Sequence, residues 1–234
     1  ITEWRDTRRV PRSAGPFDLD DYIDYVIEFT RYFQGDVHVM AVCQPTVPVF
    51  AAVSLLEAER DRSVPRSMIL MAGPIDAREN PTAVNRFADG RSLEWFERNV
   101  ITQVPWPHKG MMRHVYPGFL QLSGFMGMNL DRHITAHREL FHNLIRGDGD
   151  SADKHREFYD EFLAVMDLTA EYYLQTIDTV LLRYALPKGE MVHLNRRVEP
   201  EAVRRVALMT VEGEKDDISG IGQTFAAHNL CTNL

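Results

Sequence analysis

The stretch Val37-His38-Val39-Met40-Ala41-Val42-Cys43-Gln44-Pro45-Thr46-Val47-Pro48 constrains the fold of this chain more than any other. A short β-rich run ends at a cysteine, and a helix is expected almost at once, from about Val47 to Arg60. A strand that turns sharply into a helix lifts one side chain out of the bend, which is the grammar of a nucleophile elbow. Here that side chain is a thiol. Because the backbone doubles back, the positions two before and two after the nucleophile must be unobstructive. Glycine is usual at both; Ala41 and Pro45 stand there instead. Ala is small, and Pro is tolerated in a first helical turn, where no N–H is needed.

The pattern around the elbow is that of an α/β chain. Asp18-Leu19-Asp20-Asp21 opens a helix with acidic residues in its first turn, where they complement the helix dipole. Leu19, Tyr22, Ile23, Val26, Ile27 and the Phe29/Tyr32/Phe33 group follow a 3.6-residue period until Gly35-Asp36 breaks it. Strands are expected at Val37–Val42, Met68–Ala72 and Val206–Val211. Helix, strand, elbow, helix, strand implies a parallel sheet with helices on both faces. From Ala77 to Val198 the alternation disappears, and Asn129–Ile145 and Asp153–Tyr184 read as long amphipathic helices separated by a Gly147–Ser151 loop. The expected organisation is a core over 1–76 with the elbow, a helical lid or cap insertion over 77–198, and a resumed core over 199–234.

With 26 Lys and Arg against 34 Asp and Glu, the formal charge of −8 makes a nucleic-acid partner unexpected. No stretch approaches the ~18 apolar residues of a membrane span. Cys43 and Cys231 are the only cysteines, so this is no disulfide scaffold, and a reducing compartment fits. The first residues, Ile1 to Asp6, read like the tail of a strand rather than a signal peptide. The last, Ala226 to Leu234, stop in or just after a helix. An internal piece of a longer protein is expected, truncated at both ends. A sheet without its edge strands would expose unpaired backbone, which predicts poor solubility or association, with a homo-oligomer as one form of it.

Cys43 is the candidate nucleophile. It sits at a helix N-terminus, whose dipole favours a thiolate, and the Gln44 backbone N–H would supply half of an oxyanion hole. A buried, inert cysteine at a strand end is the plain alternative. The orienting acid is expected in Gly213-Glu214-Lys215-Asp216-Asp217-Ile218, just past the last strand. Asp216 is the better choice, because Ile218 two residues on would tuck inward and anchor the loop. Asp217 is the alternative, and Asp76, after Gly73-Pro74-Ile75, a third candidate. Of nine histidines only His228 follows the acid, and it lies in an expected helix, where surface or packing duty is the simpler reading. His133, His137 and His142 share one helix, the first two at a spacing that can bind metal. No H-E-x-x-H forms and no third ligand is evident, so no metal site is expected. The apolar, Gly-rich run from Val115 to Met128 reads as core packing or as a flexible greasy surface for an apolar chain, since Met and Gly permit repacking.

Several of these runs resemble the intracellular poly(3-hydroxybutyrate) depolymerases: Phe17 to Tyr25, Val39 to Pro48 with its Val42-Cys43-Gln44-Pro45 elbow, Met71 to Asp76, Tyr116 to Asn129, and Leu208 to Gly220. The likeness covers essentially the whole chain. It implies an α/β-hydrolase fold, Cys43 as nucleophile and Asp216 as acid. Family members carry their catalytic histidine in a Gly-His-Tyr-Gly-like loop beyond a last strand, and this chain has no such motif. The resemblance also implies that the family's N-terminal strands and the loop donating a second oxyanion N–H are missing here, upstream of Ile1.

The resemblance further implies an enzyme hydrolysing esters of poly(3-hydroxybutyrate) through an acyl-cysteine, in the cytoplasm on storage granules. It needs no bound cofactor, with water or coenzyme A as acyl acceptor. Two rival readings accompany it. A polyhydroxyalkanoate synthase would run the same chemistry toward chain growth, but those enzymes resemble a G-x-C-x-G elbow, not Cys-Gln-Pro. A granule-binding protein on a degenerate hydrolase scaffold would need no histidine.

Overall fold

The computed structural model describes residues 1–234. In chain order its elements are α1 (Leu19–Tyr32), β1 (His38–Val42), α2 (Thr46–Ala58), β2 (Ser67–Met71), α3 (Ala83–Ala88), α4 (Leu93–Val100), β3 (Thr102–Gln103), β4 (His114–Tyr116), α5 (Gly118–Met128), α6 (Leu130–Arg146), α7 (Gly149–Phe162), β5 (Leu168–Thr169), α8 (Ala170–Thr176), β6 (Val192–His193), β7 (Arg196–Arg197), β8 (Ala207–Val211) and α9 (Ala226–Leu230). α8 runs on into a π-helical turn, Ile177–Leu182. The chain is thus mixed α/β, with small parallel and antiparallel sheets. No helix is long and apolar enough to cross a membrane.

The chain divides into two compact units. One joins 1–16 to 98–170, the other 17–97 to 171–234. The expected organisation drew its breaks at 76/77 and 198/199, and residues 1–16 share a unit with residues 98–170.

In the second unit, β1, β2 and β8 form a parallel sheet in the order β1-β2-β8. Its register aligns Ala41 with Leu70 and Thr210, and Val42 with Met71 and Val211. Strand side chains alternate between faces. One face carries the buried Ala41, Met68 and Leu70; the other carries Met40, Val42 and Met209, all exposed. β1 and β8 are the outer strands, each with one edge unpaired by the sheet.

α2 is buried over Thr46–Glu57, all round its circumference. A helix apolar on every side belongs inside a core. Its last turn is fastened by Glu57, which is 6% exposed and accepts from the backbone N–H groups of Arg204 and Arg205 and from the Arg205 guanidinium. α1 begins with a reciprocal capping box: Asp18 accepts from the Asp21 N–H and Asp21 from the Asp18 N–H. It buries Leu19, Ile23, Val26 and Ile27 as its period requires, but Phe29, Tyr32 and Phe33 are exposed. Gly35 ends the segment at φ +75°, where an added Cβ would fall 2.7 Å from the Val64 carbonyl oxygen.

The first unit holds the antiparallel sheet β3-β4-β5 and the helices α5, α6 and α7. Its N-terminal segment is tied in by Arg8, paired at 2.9 Å with Asp167, and by Arg113, which donates to the carbonyls of Val10, Pro11 and Gly15. Asp167 is 3% exposed and also accepts from the Gly118 N–H. The long helix expected over Asp153–Tyr184 does not form. α7 ends at Phe162, and Leu168–Thr169 pair with β4 as a strand before α8 begins.

Candidate active site at the sheet edge

The strand-to-helix turn at Cys43 has the strain of an elbow. The ladder runs one residue past each strand: the Cys43 N–H donates to the Met71 carbonyl at 2.7 Å, and the Ala72 N–H to the Val211 carbonyl at 2.9 Å. Both residues then turn at positive φ, +65° for Cys43 and +48° for Ala72. A side chain in the left-handed region is uncommon outside glycine and persists where the surroundings over-determine it; such sites cluster at functional centres. The surroundings here do so. The Cys43 carbonyl accepts from the Thr46 N–H at 3.1 Å and from Thr46 Oγ1 at 2.8 Å, locking the turn onto α2.

Cys43 is exposed, as a nucleophile must be. The atoms packed about it nevertheless desolvate a thiolate and raise the thiol pKa above its ordinary value. The Gln44 backbone N–H bonds toward the sulfur and works in the opposite direction, while the Asp216 carboxylate adds to the rise. The balance of these three is upward.

Asp216 is half-buried in the loop after β8. Its Oδ1 accepts from the N–H groups of Ile218 and Ser219, at 2.8 and 3.1 Å. Both bonds fall on one oxygen, so Oδ2 can accept from another donor. Ile218 is 37% exposed, so it does not tuck inward as expected; its backbone, not its side chain, anchors the turn. Asp217 is exposed. Asp76 is buried and bound by both prongs of Arg78, at 2.8 and 2.7 Å. Burial alone would raise its pKa; the Arg78 bonds and charge, with help from Lys188, outweigh burial and hold the carboxyl below its ordinary value. Its two oxygens are thus already committed to a cation.

His228 lies on α9, exposed, with its ring over Phe225 and Nε2 at 3.2 Å from Thr210 Oγ1. None of its contacts is to Cys43 or Asp216. His133 and His137 on α6 are engaged with α7: His133 Nδ1 is 2.8 Å from the Tyr159 hydroxyl, and the His137 ring meets His155 edge-on at 5.1 Å. No group of three His, Cys, Asp or Glu side chains is placed to hold a metal ion.

Tyr172 on α8 escaped sequence reasoning. It is 5% exposed, stacked on Tyr22 at 5.7 Å and close to Phe17. Burial raises its pKa first, then the proximity of Tyr22 and Cys43, so a neutral phenol stands near the thiol. Nothing in the local pattern around Tyr172 announces this. Cys43, Asp76, Tyr172, Asp216 and His228 all belong to the second unit, and His133 and His137 to the first.

The family model described as PHB de-polymerase C-terminus matches residues 72–234. The matched span takes in the Asp216 loop and begins after Cys43. No curated protein matches the chain.

Proposed function

This chain belongs to the PHB de-polymerase C-terminus family, which supports a role in PHB depolymerisation, and we propose that it acts as a carboxylic-ester hydrolase on poly(3-hydroxybutyrate) through an acyl-cysteine at Cys43. The observation that carries this reading is the strained, exposed Cys43 at the C-terminal end of β1, on the same sheet edge as the Asp216 loop. Ligands of open parallel sheets bind outside the carboxyl ends of their strands. The three-stranded order, with an elbow after one outer strand and an acid after the other, is what an α/β-hydrolase core carrying a helical insertion would contain.

In this reading the Cys43 sulfur attacks an ester carbonyl of the polymer. The Gln44 N–H stabilises the oxyanion, and the shortened polymer leaves as its alcohol, taking up one proton. Water, or coenzyme A, then cleaves the 3-hydroxybutyryl thioester and restores the thiol. Asp216, with Asp217 as alternative, orients the imidazole that accepts the thiol proton. No histidine described above contacts Cys43 or Asp216, so that role is assigned to none of them. The exposed apolar residues of α5 and α6, among them Phe119, Phe125, Ile134 and Phe141, would suit an apolar polyester at a storage granule in the cytoplasm.

The raised thiol pKa, and a His228 engaged with Thr210 and Phe225 rather than with Cys43 or Asp216, favour one second reading, a non-catalytic granule-binding homologue on the same scaffold. Substituting Cys43→Ala and following release of 3-hydroxybutyrate from amorphous polymer tests the first reading: loss of release supports it, and undiminished release by the variant refutes it.

A further inference from the structure

The loop that carries Asp216 is fastened at its base by another acid. Glu212 follows β8 directly, and its carboxylate accepts from three backbone N–H groups at the far end of the loop. Oε1 takes those of Gly222, Thr224 and Phe225 at 3.0, 2.8 and 3.0 Å, and Oε2 takes Gly222 again at 2.9 Å. These donors stand just ahead of α9 and have no helical partner. The same turn is bound to the end of β2. Thr224 Oγ1 accepts from the Gly73 N–H at 2.8 Å and donates to the Gly73 carbonyl at 3.0 Å, and the Asp76 N–H donates to the Gln223 carbonyl. Gly73 in turn lies against Thr46 of the elbow.

We propose that Glu212 is the positioning residue of the acid loop: by gathering the N–H groups of Gly222, Thr224 and Phe225 it closes residues 213–221 into one geometry and holds Asp216 at the sheet edge beside Cys43. The inference deepens the acyl-cysteine reading and rests on its pairing of Asp216 with Cys43. Glu212 touches no reacting atom in this arrangement. It acts through Asp216, whose own bonds to Ile218 and Ser219 are local to the turn; Thr82 Oγ1, donating to the Ile218 carbonyl at 2.8 Å, is a further tie of the loop.

Thiol titration reads this without requiring turnover. The groups that act on the Cys43 sulfur are the Gln44 N–H and the Asp216 carboxylate, with the Tyr172 phenol nearby. The rate of Cys43 alkylation by iodoacetamide is measured against pH in the full chain. Asp216→Asn is expected to lower the midpoint, because a negative charge beside the thiol is removed. Glu212→Ala is expected to lower it in the same direction, and the double variant no further. Glu212→Gln discards the charge and keeps an Oε1 acceptor for the three N–H groups but turns an amide donor toward the Gly222 N–H that Oε2 accepts, so its midpoint falls less than that of Glu212→Ala. Glu212→Asp keeps the charge but shortens the reach by one methylene, so it lowers the midpoint, and it serves if Glu212→Ala fails to fold. A folded Glu212→Asp with the wild-type midpoint, while Asp216→Asn lowers it, overturns the proposal and leaves the acyl-cysteine reading standing. An unchanged midpoint in Asp216→Asn overturns it too. Failure of Cys43 to form a thioester touches only the acyl-cysteine reading.

Discussion

Thr46 Oγ1 occupies the place a side chain at position 73 would need: a Cβ built on Gly73 falls 1.9 Å from it. The same hydroxyl donates to the Cys43 carbonyl, so the contact joins the turn after β2 to the elbow after β1.

Gly73→Ala is therefore expected to do more than cost stability. Overpacking of this kind typically destabilises by about 1–3 kcal/mol, and Thr46 must shift or rotate to accommodate the methyl. Urea unfolding of the variant should show a loss in that range, and Cys43 alkylation should change with it. A variant of wild-type stability and reactivity would show that the two turns are not packed as described.

The two cysteines should behave as opposites. Cys43 is exposed, while Cys231 is 4% exposed and burial pushes its thiol up to about 12. One equivalent of alkylating reagent is expected to react with the native chain and two after denaturation. The sign of the pH dependence follows from the raised value. Folding holds the Cys231 proton more tightly than the unfolded chain does, so this contribution is complete below the unfolded thiol pKa of about 8.5. It is lost progressively as pH rises toward 12. Cys231→Ser or Cys231→Ala should flatten the alkaline decline in a pH series of denaturant midpoints.

His193 is wholly buried and bridges two carboxylates one helical turn apart on α1, with Nδ1 2.9 Å from Asp20 and Nε2 3.0 Å from Asp24. Gln175 completes the cluster by donating to Asp20 and accepting from the Leu19 N–H. His193 is the buried member while Asp20 and Asp24 reach solvent, so the cost of His193→Ala is that of the lost bonds and vacated space, roughly 1–3 kcal/mol. Equilibrium unfolding measures it, and a change within 0.5 kcal/mol, the ordinary range (about ±0.5) for surface substitutions, would rule the bridge out as a structural element.

The sheet was legible in the sequence because its strands are short apolar runs punctuated by glycine and proline. The expected spans Val37–Val42, Met68–Ala72 and Val206–Val211 sit within one residue of β1, β2 and β8. The sharp turn at Cys43 was legible too, since so short a link between a strand and a helix admits few geometries. What local pattern could not show is partnership across the chain. Asp153–Tyr184 has a helical period, yet the segment breaks where Asp167 turns to Arg8 and Gly118 and where Leu168 and Thr169 join β4. Likewise Glu212, one acid among several after β8, is distinguished only by the N–H groups the fold brings to it.

Acyl transfer to Cys43 can be tested on the thiol itself. The protein is incubated with p-nitrophenyl 3-hydroxybutyrate, whose good leaving group lessens the need for a base, across a pH range reaching above the Cys43 midpoint. Acid quenching and intact-mass analysis then locate the adduct. One 3-hydroxybutyryl group on Cys43, absent from Cys43→Ala, is the expected result. An unmodified Cys43 at a pH where the thiol is ionised, or equal acylation of Cys43→Ala, would contradict it.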